Sequence, residues 1–409
     1  MPVTVAHVVL GVPLKQIYRY SVPLYLADQI QVGHRISVDF HHRRQTAFVV
    51  SLTAEQNCSE NLKPVLALEE PFPVFGRRDM LLARWIARRY LCTPGEVLRV
   101  MVPRLPRRKR NSSAGDMSCF GQVYPREDEL ILTPDQSTAI RDISDRLKTG
   151  RQHTVVLHGI TGSGKTEVYL RVIAEVLNMN KSAIVLEPEI ALTPQTVERF
   201  KTRFKDRVAV LHSKLSMGER GREWLRIKEG EAAICIGPRS AVFAPVNKLG
   251  LIVIDEEMET SYKQNEAPRY HAREVAIQRA KQAGAVVVIG SATPSLETYQ
   301  LASRGVYQLL ELPERVGGRT LPEVEIVDMK QELNERKNRT MFSHHLRECV
   351  AATLEIGGQV MLFVNRRAYS TFVQCRSCGE AIRCPNCQIS LKFHFKASKL
   401  RCHYCEHSE

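Results

Sequence analysis

Short apolar runs separated by turn residues make up the first part of the chain. Runs rich in Val, Ile, Phe and Tyr recur every eight to twelve residues between residue 3 and about residue 68, for example at residues 3–10, 35–40 and 47–52. This spacing is typical of a small β-rich domain.

The pattern changes after this segment. Residues 79–101 have helical spacing, with Leu82, Ile86 and Tyr90 on one face and arginines on the other, which predicts a helix. Residues 105–130 are polar and basic without periodicity, which predicts a linker.

Apolar runs alternate with helical patterns beyond residue 130. The strand-like runs span residues 154–158, 183–186, 208–211, 233–236, 251–254 and 285–289. Such alternation is typical of a parallel sheet covered by helices on both faces, so we expect an α/β fold. A further apolar run at residues 359–364 predicts one more buried strand.

The composition narrows the class of protein. The 409 residues suffice for two or three domains, and a net charge of +14 favours a polyanionic partner such as nucleic acid. The first 110 residues carry much of this excess, with 17 basic and 8 acidic side chains. No apolar run is long enough to cross a bilayer and the start carries no export or transit signal, so we expect a cytoplasmic protein without a membrane partner.

The strongest chemical signal is Gly-Ile-Thr-Gly-Ser-Gly-Lys-Thr at residues 159–166, between a strand pattern and a helix pattern. It fits a phosphate-binding loop (P-loop), in which backbone N–H groups wrap the phosphates of ATP, Lys165 reaches the β and γ phosphates and Thr166 ligates Mg²⁺. A Gly-rich turn that only caps a helix is the alternative. The expected ATP and Mg²⁺ ligands are Gly159, Thr161, Gly162, Ser163, Gly164, Lys165 and Thr166.

A P-loop needs a carboxylate at the end of another strand to position the metal. Asp255 and Glu256 follow the apolar strand at residues 251–254. We expect Asp255 to hold Mg²⁺ through water and Glu256 to act as the general base, with Lys165 as the third catalytic residue. Gln136 belongs to a capping box that begins at Thr133, and this structural role is sufficient by itself; adenine recognition is a second expected role.

Six of the eleven cysteines form three Cys-x-x-Cys pairs close to the carboxy-terminal end. In a cytosolic chain such pairs are metal ligands more often than disulfides. The second and third pairs are 14 residues apart, close to zinc-ribbon spacing, and four thiolates form one closed tetrahedral Zn²⁺ site. The expected ligands are Cys384, Cys387, Cys402 and Cys405.

The order of the motifs resembles one family over nearly the whole chain. The segments are GITGSGKTEVYL (159–170), PEIALTPQ (188–195), LHSKLSMGER (211–220), GPRSAVFAP (237–245), DEEMETSYKQNEAPRYHAREVA (255–276), GSATPSLE (290–297) and LFVNRRAYS (362–370), followed by the cysteine pairs. They resemble the PriA (primosomal protein N′) family of bacterial replication-restart helicases. The resemblance implies a superfamily 2 DNA helicase that binds stalled forks, unwinds DNA 3′ to 5′ with ATP and starts primosome assembly. It also implies branched and single-stranded DNA, primosome proteins and single-stranded-DNA-binding protein as partners.

The resemblance assigns DNA contacts as well. Arg239 and the stretch 258–273 are assigned to DNA coupling, and aromatic faces that stack on bases beside cations that meet phosphates fit that role, although a solvated loop is the alternative. The residues expected to contact DNA in this stretch are Tyr262, Lys263, Arg269, Tyr270 and Arg273. Tyr18, Tyr20 and Lys63 fall at family positions for a pocket that binds a DNA 3′ end, and two β-strand tyrosines on one face are the alternative.

Several positions depart from the family pattern. Met258 stands where the family has His, which is expected to alter the coupling between the ATP and DNA sites, and Arg19 stands where relatives often have an acid. No Gln-x-x-Gly-Arg-x-Gly-Arg segment, which would carry the arginine finger, occurs in the sequence. We therefore expect the chain to be truncated before the end of its second motor lobe, and to bind ATP but hydrolyse it weakly or not at all.

The first cysteine pair also lacks a counterpart. In the family, the pair that matches Cys375 and Cys378 shares a zinc ion with a later pair that the 409 residues do not contain. We therefore expect a second Zn²⁺ site with an incomplete ligand set, with His394 or His407 as alternative ligands.

Five segments are predicted from these observations. They are a β-rich DNA-binding domain (1–104), a basic linker (105–130), a RecA-like helicase lobe (131–312), a connector with the start of a second lobe (313–374) and a zinc module (375–409). The expected function is ATP-dependent DNA unwinding at stalled or branched forks for replication restart. The alternatives are a truncated, non-catalytic zinc adaptor that binds forks and ATP without unwinding, and an RNA helicase.

Overall fold

The structure, a computed structural model, consists of two compact units, Met1–Thr320 and Leu321–Glu409. The described residues are 3–55, 62–105, 131–188, 191–212, 214–318, 322–338, 340–363, 380–394 and 399–409, with only the backbone at residue 394. The predicted linker beyond residue 105 and the cysteines Cys375 and Cys378 therefore lie outside the described residues.

A five-stranded antiparallel sheet begins the first unit, which confirms the predicted β-rich domain. Its elements are β1 (Val3–Leu10), β2 (Tyr18–Ser21), the short helix α1 (Leu24–Ala27), β3 (Arg35–Phe40), β4 (Arg43–Glu55) and β5 (Val65–Leu68). The order across the sheet is β2-β1-β4-β3-β5. Alternate side chains of these strands form a small core of their own, to which Tyr20 contributes.

Two helices follow this sheet where the sequence predicts one. The expected helix at residues 79–101 is divided into α2 (Arg77–Arg89) and α3 (Pro94–Met101). Thr93 caps α3 in a reciprocal capping box, and Pro94 stands at its first position. Proline has no backbone N–H to donate to the preceding turn, so one helix ends and another begins here.

The rest of the first unit is a seven-stranded parallel sheet packed on both faces, which confirms the predicted α/β lobe. Its strands are β6 (His153–Gly159), β7 (Ser182–Leu186), β8 (Val208–Val210), β9 (Ile234–Gly237), β10 (Leu249–Ile254), β11 (Val286–Ser291) and β12 (Gln308–Leu312). Its α-helices are α4 (Pro134–Lys148), α5 (Lys165–Asn178), α6 (Pro194–Phe204), α7 (Met217–Glu229), α8 (Ala272–Ala283) and α9 (Leu296–Ser303). Short 3-10 helices span Lys205–Arg207, Arg239–Phe243 and Thr260–Tyr262.

The strand order brings the predicted chemical motifs to one edge. The order is β12-β6-β11-β10-β7-β9-β8, so the P-loop strand β6 and the acid-bearing strand β10 both pair with β11. In a parallel sheet the carboxyl ends of the strands share one edge, where ligands bind. The sequence did not predict β12, whose first four residues are exposed or only half-buried.

The N-terminal domain and the α/β lobe share one hydrophobic core. This core joins Phe48 and Ile86 of the N-terminal domain to Tyr262, Tyr270 and Val275 of the lobe. The shared core fixes the position of the N-terminal domain on the lobe.

The second unit contains little regular structure among its described residues. Its elements are α10 (Met329–Arg336), α11 (His344–Glu355), β13 (Lys392–His394) and β14 (Lys399–Arg401), and the two strands form a hairpin. The prediction of a buried strand at residues 359–364 is wrong for its described part, because residues 359–363 form no strand and Met361 and Phe363 are exposed. An apolar run forms a buried strand only where a neighbouring strand pairs with its backbone and other side chains pack over it. Among the described strands, none pairs with residues 359–363. Within the part of the chain that the structure describes, no helix has the length and apolar character needed to span a membrane.

Candidate functional site

The P-loop lies between the end of β6 and the start of α5, as predicted. Gly162 and Gly164 adopt φ angles of 83° and 81°, a region that glycine enters without strain. A Cβ on Gly164 would lie 2.3 Å from the side-chain nitrogen of Gln136, so the loop also needs glycine for close packing. The Lys165 ammonium donates to the Gly159 carbonyl at 2.7 Å, which holds it across the mouth of the loop.

A cavity of about 770 Å³ opens above this loop and contains most of the predicted nucleotide ligands. Its lining includes Thr161, Gly162, Gly164, Lys165, Thr166, Gln136, Asp255 and Glu256. Apolar side chains of Leu132, Leu170 and Val316 complete the wall. Gly159 and Ser163 are not part of the lining, and the Ser163 hydroxyl is buried without a hydrogen-bond partner among the described residues.

Gln136 has the capping role that its position predicts. Its side-chain oxygen accepts the Thr133 backbone N–H at 3.0 Å, and its amide nitrogen donates to the Ser163 carbonyl at 2.8 Å. The first bond caps α4 and the second ties that cap to the P-loop. Gln136 therefore supports the loop from behind while lining the nucleotide cavity.

Asp255 is held in place from three sides. Its Oδ1 accepts the Tyr169 hydroxyl at 2.8 Å, its backbone carbonyl accepts the Tyr262 hydroxyl at 2.7 Å, and its N–H donates to Leu186 at 3.0 Å. Burial raises the pKa of Asp255, and the Tyr169 bond and the Lys165 charge oppose this. Carboxylate and hydroxyl oxygens are the ligands that Mg²⁺ takes in proteins. Asp255, Glu256 and Thr166 line the same cavity as Lys165, so this set of oxygen donors fits Mg²⁺.

Glu187 is a third carboxyl group beside this pair, and sequence reasoning missed it. It is buried directly after β7, and burial, followed by the charges of Asp255 and Glu256, raises its pKa well above the usual value. Burial and the charge of Asp255 also raise the pKa of Glu256. A cation bound here would stabilise the charged forms of all three groups. An acid following an apolar strand was the available signal, because Glu187 follows β7 as Asp255 follows β10.

Arg273, predicted to contact DNA, is engaged inside the lobe. Its guanidinium pairs with Glu257, whose side chain is 1% exposed, and also donates to Thr298 at 2.8 Å and Ser295 at 3.1 Å. The network joins the loop after β10, the N-terminus of α8 and the loop before α9. This arrangement gives Arg273 a structural role that the sequence did not reveal.

The stretch 258–273 differs from its predicted form in another respect. Tyr262 and Tyr270 are each only 1% exposed, so neither ring offers a face to a base in this structure. Tyr262 donates its hydroxyl to backbone carbonyls at the ends of β7 and β10, and Tyr270 packs edge-on against Phe243. The structure therefore does not support the expected stacking by these two rings.

Lys263 and Arg269 of this stretch remain at the surface, and Arg239 contacts the stretch from another element. Arg239 donates to the carbonyls of Ser261 and Lys263, both at 3.0 Å, and so holds the loop from its own 3-10 helix. Lys263 lies 4.8 Å above the ring of Tyr90, at the end of α2 in the N-terminal domain, and Arg269 is exposed.

Met258 contacts the loop that follows β11. Its sulfur accepts the hydroxyls of Ser291 at 3.7 Å and Thr293 at 3.6 Å. A thioether is a weak, uncharged acceptor and does not titrate. The connection between the two loops at this position is therefore independent of pH, which would not hold for histidine.

The three predicted 3′-end residues lie around Asp39, which sequence reasoning missed. Lys63 pairs with the Asp39 carboxylate at 2.8 Å, Tyr20 donates to the Asp39 carbonyl at 3.0 Å, and Tyr18 packs edge-on against Phe40 at 5.0 Å. Hydrogen bonding and charge from Lys63 lower the pKa of Asp39. Arg19 pairs instead with Glu55 at 2.7 Å. Asp39, on β3, therefore provides an acidic side chain close to the predicted pocket, although position 19 carries arginine instead of an acid.

The four predicted zinc ligands converge in the second unit. The sulfur atoms of Cys384 and Cys405 are 3.4 Å apart, those of Cys387 and Cys402 are 3.3 Å apart, and those of Cys387 and Cys405 are 3.8 Å apart. Tetrahedral Zn²⁺ with bonds of about 2.3 Å requires sulfur separations of about 3.8 Å. Backbone N–H groups of residues 405 and 404 lower the pKa of Cys402, and zinc binds cysteine as the thiolate. The set fits one Zn²⁺ ion, while the predicted second site at Cys375 and Cys378 lies outside the described residues.

Three family models match the chain in succession. Residues 7–103 match the PriA 3′-DNA-binding domain, residues 133–302 match the DEAD/DEAH box helicase, and residues 384–409 match the Cys-rich region of the PriA DNA helicase. The replication restart protein PriA of Treponema pallidum (strain Nichols) is 39% identical over 406 residues, which are 98% of this chain. The chain belongs to the PriA family.

Two further relatives carry the same name. The protein of Bacillus subtilis (strain 168) is 51% identical over 70% of this chain and 36% of its own length, and that of Haemophilus influenzae is 32% identical over 98% of this chain and 64% of its own length. The match to the Treponema protein covers 60% of that protein. The chain thus spans less than two thirds of these PriA relatives.

The family matches coincide with structural features. The 3′-DNA-binding match extends from β1 to α3, and the helicase match contains the P-loop, both acidic strand ends and the network of Glu257 and Arg273. The Cys-rich match begins at Cys384 and includes all four clustered cysteines.

Proposed function

We propose that the chain acts as an ATP-dependent DNA helicase of replication restart, which binds stalled or branched forks and moves 3′ to 5′. The observation that carries the proposal is the single core shared by a 3′-DNA-binding domain and a lobe with a complete P-loop and acid pair. Binding of DNA and the state of the nucleotide then act on one continuous core. The family matches do not favour the alternative of a non-catalytic zinc adaptor. Two of them are described by DNA binding or as a DNA helicase, and none as an RNA helicase.

The proposal assigns roles to the nucleotide-site residues. The P-loop backbone and Lys165 hold the phosphates of ATP, and Thr166 and Asp255 would hold Mg²⁺, whose charge would stabilise the transferring phosphoryl group. Glu256 accepts a proton from the attacking water, since its raised pKa makes it a better base than an exposed carboxylate. Gln136 and the apolar wall of the cavity receive the adenine.

The proposal extends to turnover by the 409 residues alone. Hydrolysis by related NTPases is accelerated about 10³- to 10⁵-fold by an arginine that reaches the phosphates from outside the P-loop lobe. The sequence has no Gln-x-x-Gly-Arg-x-Gly-Arg segment, and Arg366 and Arg367 lie outside the described residues. We propose that the cavity of this lobe binds Mg-ATP and that turnover depends on such an arginine.

The DNA contacts and the partners are part of the same proposal. Tyr18, Tyr20 and Lys63 form the 3′-end pocket, with Asp39 as the acid near it, and Arg239, Lys263 and Arg269 contact phosphates. We propose primosome proteins and single-stranded-DNA-binding protein as partners and the cytoplasm as the place of action, on the support of the relatives' replication-restart names.

Two assays test the proposal. Calorimetry measures the binding of Mg-ATP, and a second assay measures ATP turnover in the presence of single-stranded DNA or RNA. Turnover that is stimulated by RNA but not by DNA would contradict a DNA helicase. Binding to forks with a 3′-hydroxyl or a 3′-phosphate end tests the pocket. Lys63→Met should abolish the preference for the free end, while the exposed control Lys15→Met keeps it. Equal binding of both forks by the unaltered chain would refute the pocket.

A further inference from the structure

A short turn at residues 315–318, which follows β12, lies against the P-loop. The Gly318 N–H donates to the Arg315 carbonyl at 3.2 Å, and Gly317 adopts a φ angle of 79°. A positive φ at the third position of a turn favours glycine, so this residue suits the turn. The turn therefore holds its second residue, Val316, in a defined place.

Two backbone hydrogen bonds connect this segment to the P-loop. The Val316 N–H donates to the Gly162 carbonyl at 3.0 Å. Two residues earlier on the loop, the Ile160 N–H donates to the Leu312 carbonyl at 3.3 Å. The aliphatic part of Arg315 also lies beside Gly162, since a Cβ on this glycine would meet the Arg315 Cγ at 3.8 Å. The position of the turn and the shape of the P-loop therefore depend on each other.

The Val316 side chain lines the nucleotide cavity next to Gln136. Both side chains converge on Gly164, because a Cβ on this glycine would lie 2.3 Å from the Gln136 amide nitrogen and 3.2 Å from a Val316 methyl carbon. Val316 is nevertheless 44% exposed. An apolar side chain that faces a cavity gains free energy when an apolar group of a ligand covers it.

The other lining residues indicate which part of a nucleotide would cover Val316. Ile131 and Leu132, which precede α4, add apolar side chains to the cavity, whereas the charged lining residues Arg199 and Arg203 come from α6. The base is the part of ATP with a flat face that packs on apolar side chains, while the ribose and the phosphates are polar. Val316 and the segment before α4 therefore suit the base.

We propose that Val316 is a specificity-determining residue, which packs against the base of bound Mg-ATP and links that base to the P-loop. The inference rests on the proposed function, because that function makes ATP the ligand. The Val316 side chain contacts the base, while its backbone N–H supports the loop that holds the phosphates. A nucleoside triphosphate therefore engages the turn and the loop together, whereas a triphosphate without a base engages the loop alone.

Tripolyphosphate separates these two contacts, because it carries the phosphates of ATP without the base. Calorimetry on the full chain measures the binding of Mg-ATP and of Mg-tripolyphosphate. Val316→Ala should lower the affinity for Mg-ATP about fivefold, since two methyl groups lose their contact with the base, and should leave the affinity for Mg-tripolyphosphate unchanged. The control Val306→Ala, which truncates an exposed valine that does not line the cavity, should change neither affinity.

Val316→Pro tests the backbone contact. Proline has no N–H to donate to the Gly162 carbonyl, but it is favoured at the second position of a turn. This variant should therefore weaken the binding of both ligands. Hydrogen exchange of the parent chain gives a second readout, in which peptides that include residues 312–318 should gain more protection with Mg-ATP than with Mg-tripolyphosphate.

The outcomes separate this inference from the proposed function. A parent chain that does not bind Mg-ATP would overturn the proposed function at its nucleotide site. A parent that binds Mg-ATP would overturn the role of Val316 alone if Val316→Ala weakened both ligands equally or weakened neither. Equal protection of residues 312–318 by the two ligands, or an equal loss of Mg-ATP affinity in Val306→Ala, would also refute that role.

Discussion

Removing the guanidinium of Arg273 should destabilise the first unit, because it leaves a buried charge without its ionic partner. The Glu257 side chain is 1% exposed and that of Arg273 is 16% exposed. Removing one partner of a buried ion pair costs about 3 to 5 kcal/mol. Glu257 would keep donors from Ser295 at 2.9 and 3.1 Å and from Thr298 at 2.8 Å. We therefore expect Arg273→Met to lower the free energy of unfolding by about 3 kcal/mol, the lower end of that range.

A double-mutant cycle distinguishes a lost ion pair from lost packing. Arg273→Met combined with Glu257→Leu removes both charges, so no buried carboxylate remains unpaired. The double variant should be less destabilised than the sum of the single variants by about 2 kcal/mol. The exposed control Arg141→Met should stay within about 0.5 kcal/mol of the parent.

Urea unfolding followed by tryptophan fluorescence is a suitable assay. The two tryptophans, Trp85 and Trp224, belong to or pack against the core that also contains the start of α8. Their signal therefore reports the unit that carries Arg273. A loss below about 0.5 kcal/mol for Arg273→Met, or additive single effects in the double variant, would refute the reasoning.

Acid should reduce the difference between Arg273→Met and the parent. Burial raises the pKa of Glu257, but hydrogen bonds from Thr298 and Ser295 and the charge of Arg273 outweigh it, so the pKa is lowered overall. A lowered pKa gives stability that is present above the unfolded value of about 4.3 and is lost as the pH falls through the folded value. Without Arg273 the pKa rises, and protonation then relieves the unpaired charge. The deficit of the variant should therefore shrink on acidification, and a deficit that is constant with pH would contradict this.

Three other substitutions test the sites. Lys165→Ala should abolish Mg-ATP binding in calorimetry without unfolding the chain, and residual tight binding would place the phosphates elsewhere. A Cβ on Gly290 would lie 1.6 Å from the Tyr169 hydroxyl and 2.9 Å from Asp255 Oδ1, so Gly290→Ala should weaken Mg-ATP binding. The control Gly218→Ala should not weaken it, because a Cβ there meets nothing closer than 3.9 Å. Metal analysis should find about one tightly held zinc per chain and its loss in Cys402→Ser; two such ions in the parent, or full retention in the variant, would show that the ligand set is wrong.

The sequence predicted the site best where one local pattern determines the structure. Buried parallel strands are continuous apolar runs, so β6, β7 and β10 were found to within a residue or two, together with the P-loop and the acids that follow β10. The zinc ligands could also be predicted from the paired cysteines, because the spacing of the ligands is a local pattern in the sequence.

Patterns that depend on distant partners were misread. Tyr262 and Tyr270 alternate with cations as in a stacking surface, but their rings fill a core that includes α2 residues from the N-terminal domain. From the sequence, Arg273 is indistinguishable from a phosphate ligand, and only the structure shows its ion pair with Glu257. The apolar run at residues 359–363 predicted a strand because the pattern cannot show whether a partner strand exists. In contrast, the break between α2 and α3 was visible at Thr93 and Pro94, since the capping box is a local signal.

The burial of Tyr262 gives the loop at residues 258–273 a structural role different from base stacking. A phenol has one proton, and this hydroxyl lies 2.7 Å from the Asp255 carbonyl and 2.9 Å from the Leu186 carbonyl, so it holds both strand ends through one shared donor. A shift of the Asp255 backbone relative to the end of β7 would alter one of these bonds. On the same loop, Arg239 binds the carbonyls on either side of Tyr262, and Lys263 lies on Tyr90 of the N-terminal domain. Tyr262 and the backbone beside it therefore connect the end of β10 with Arg239 and Lys263.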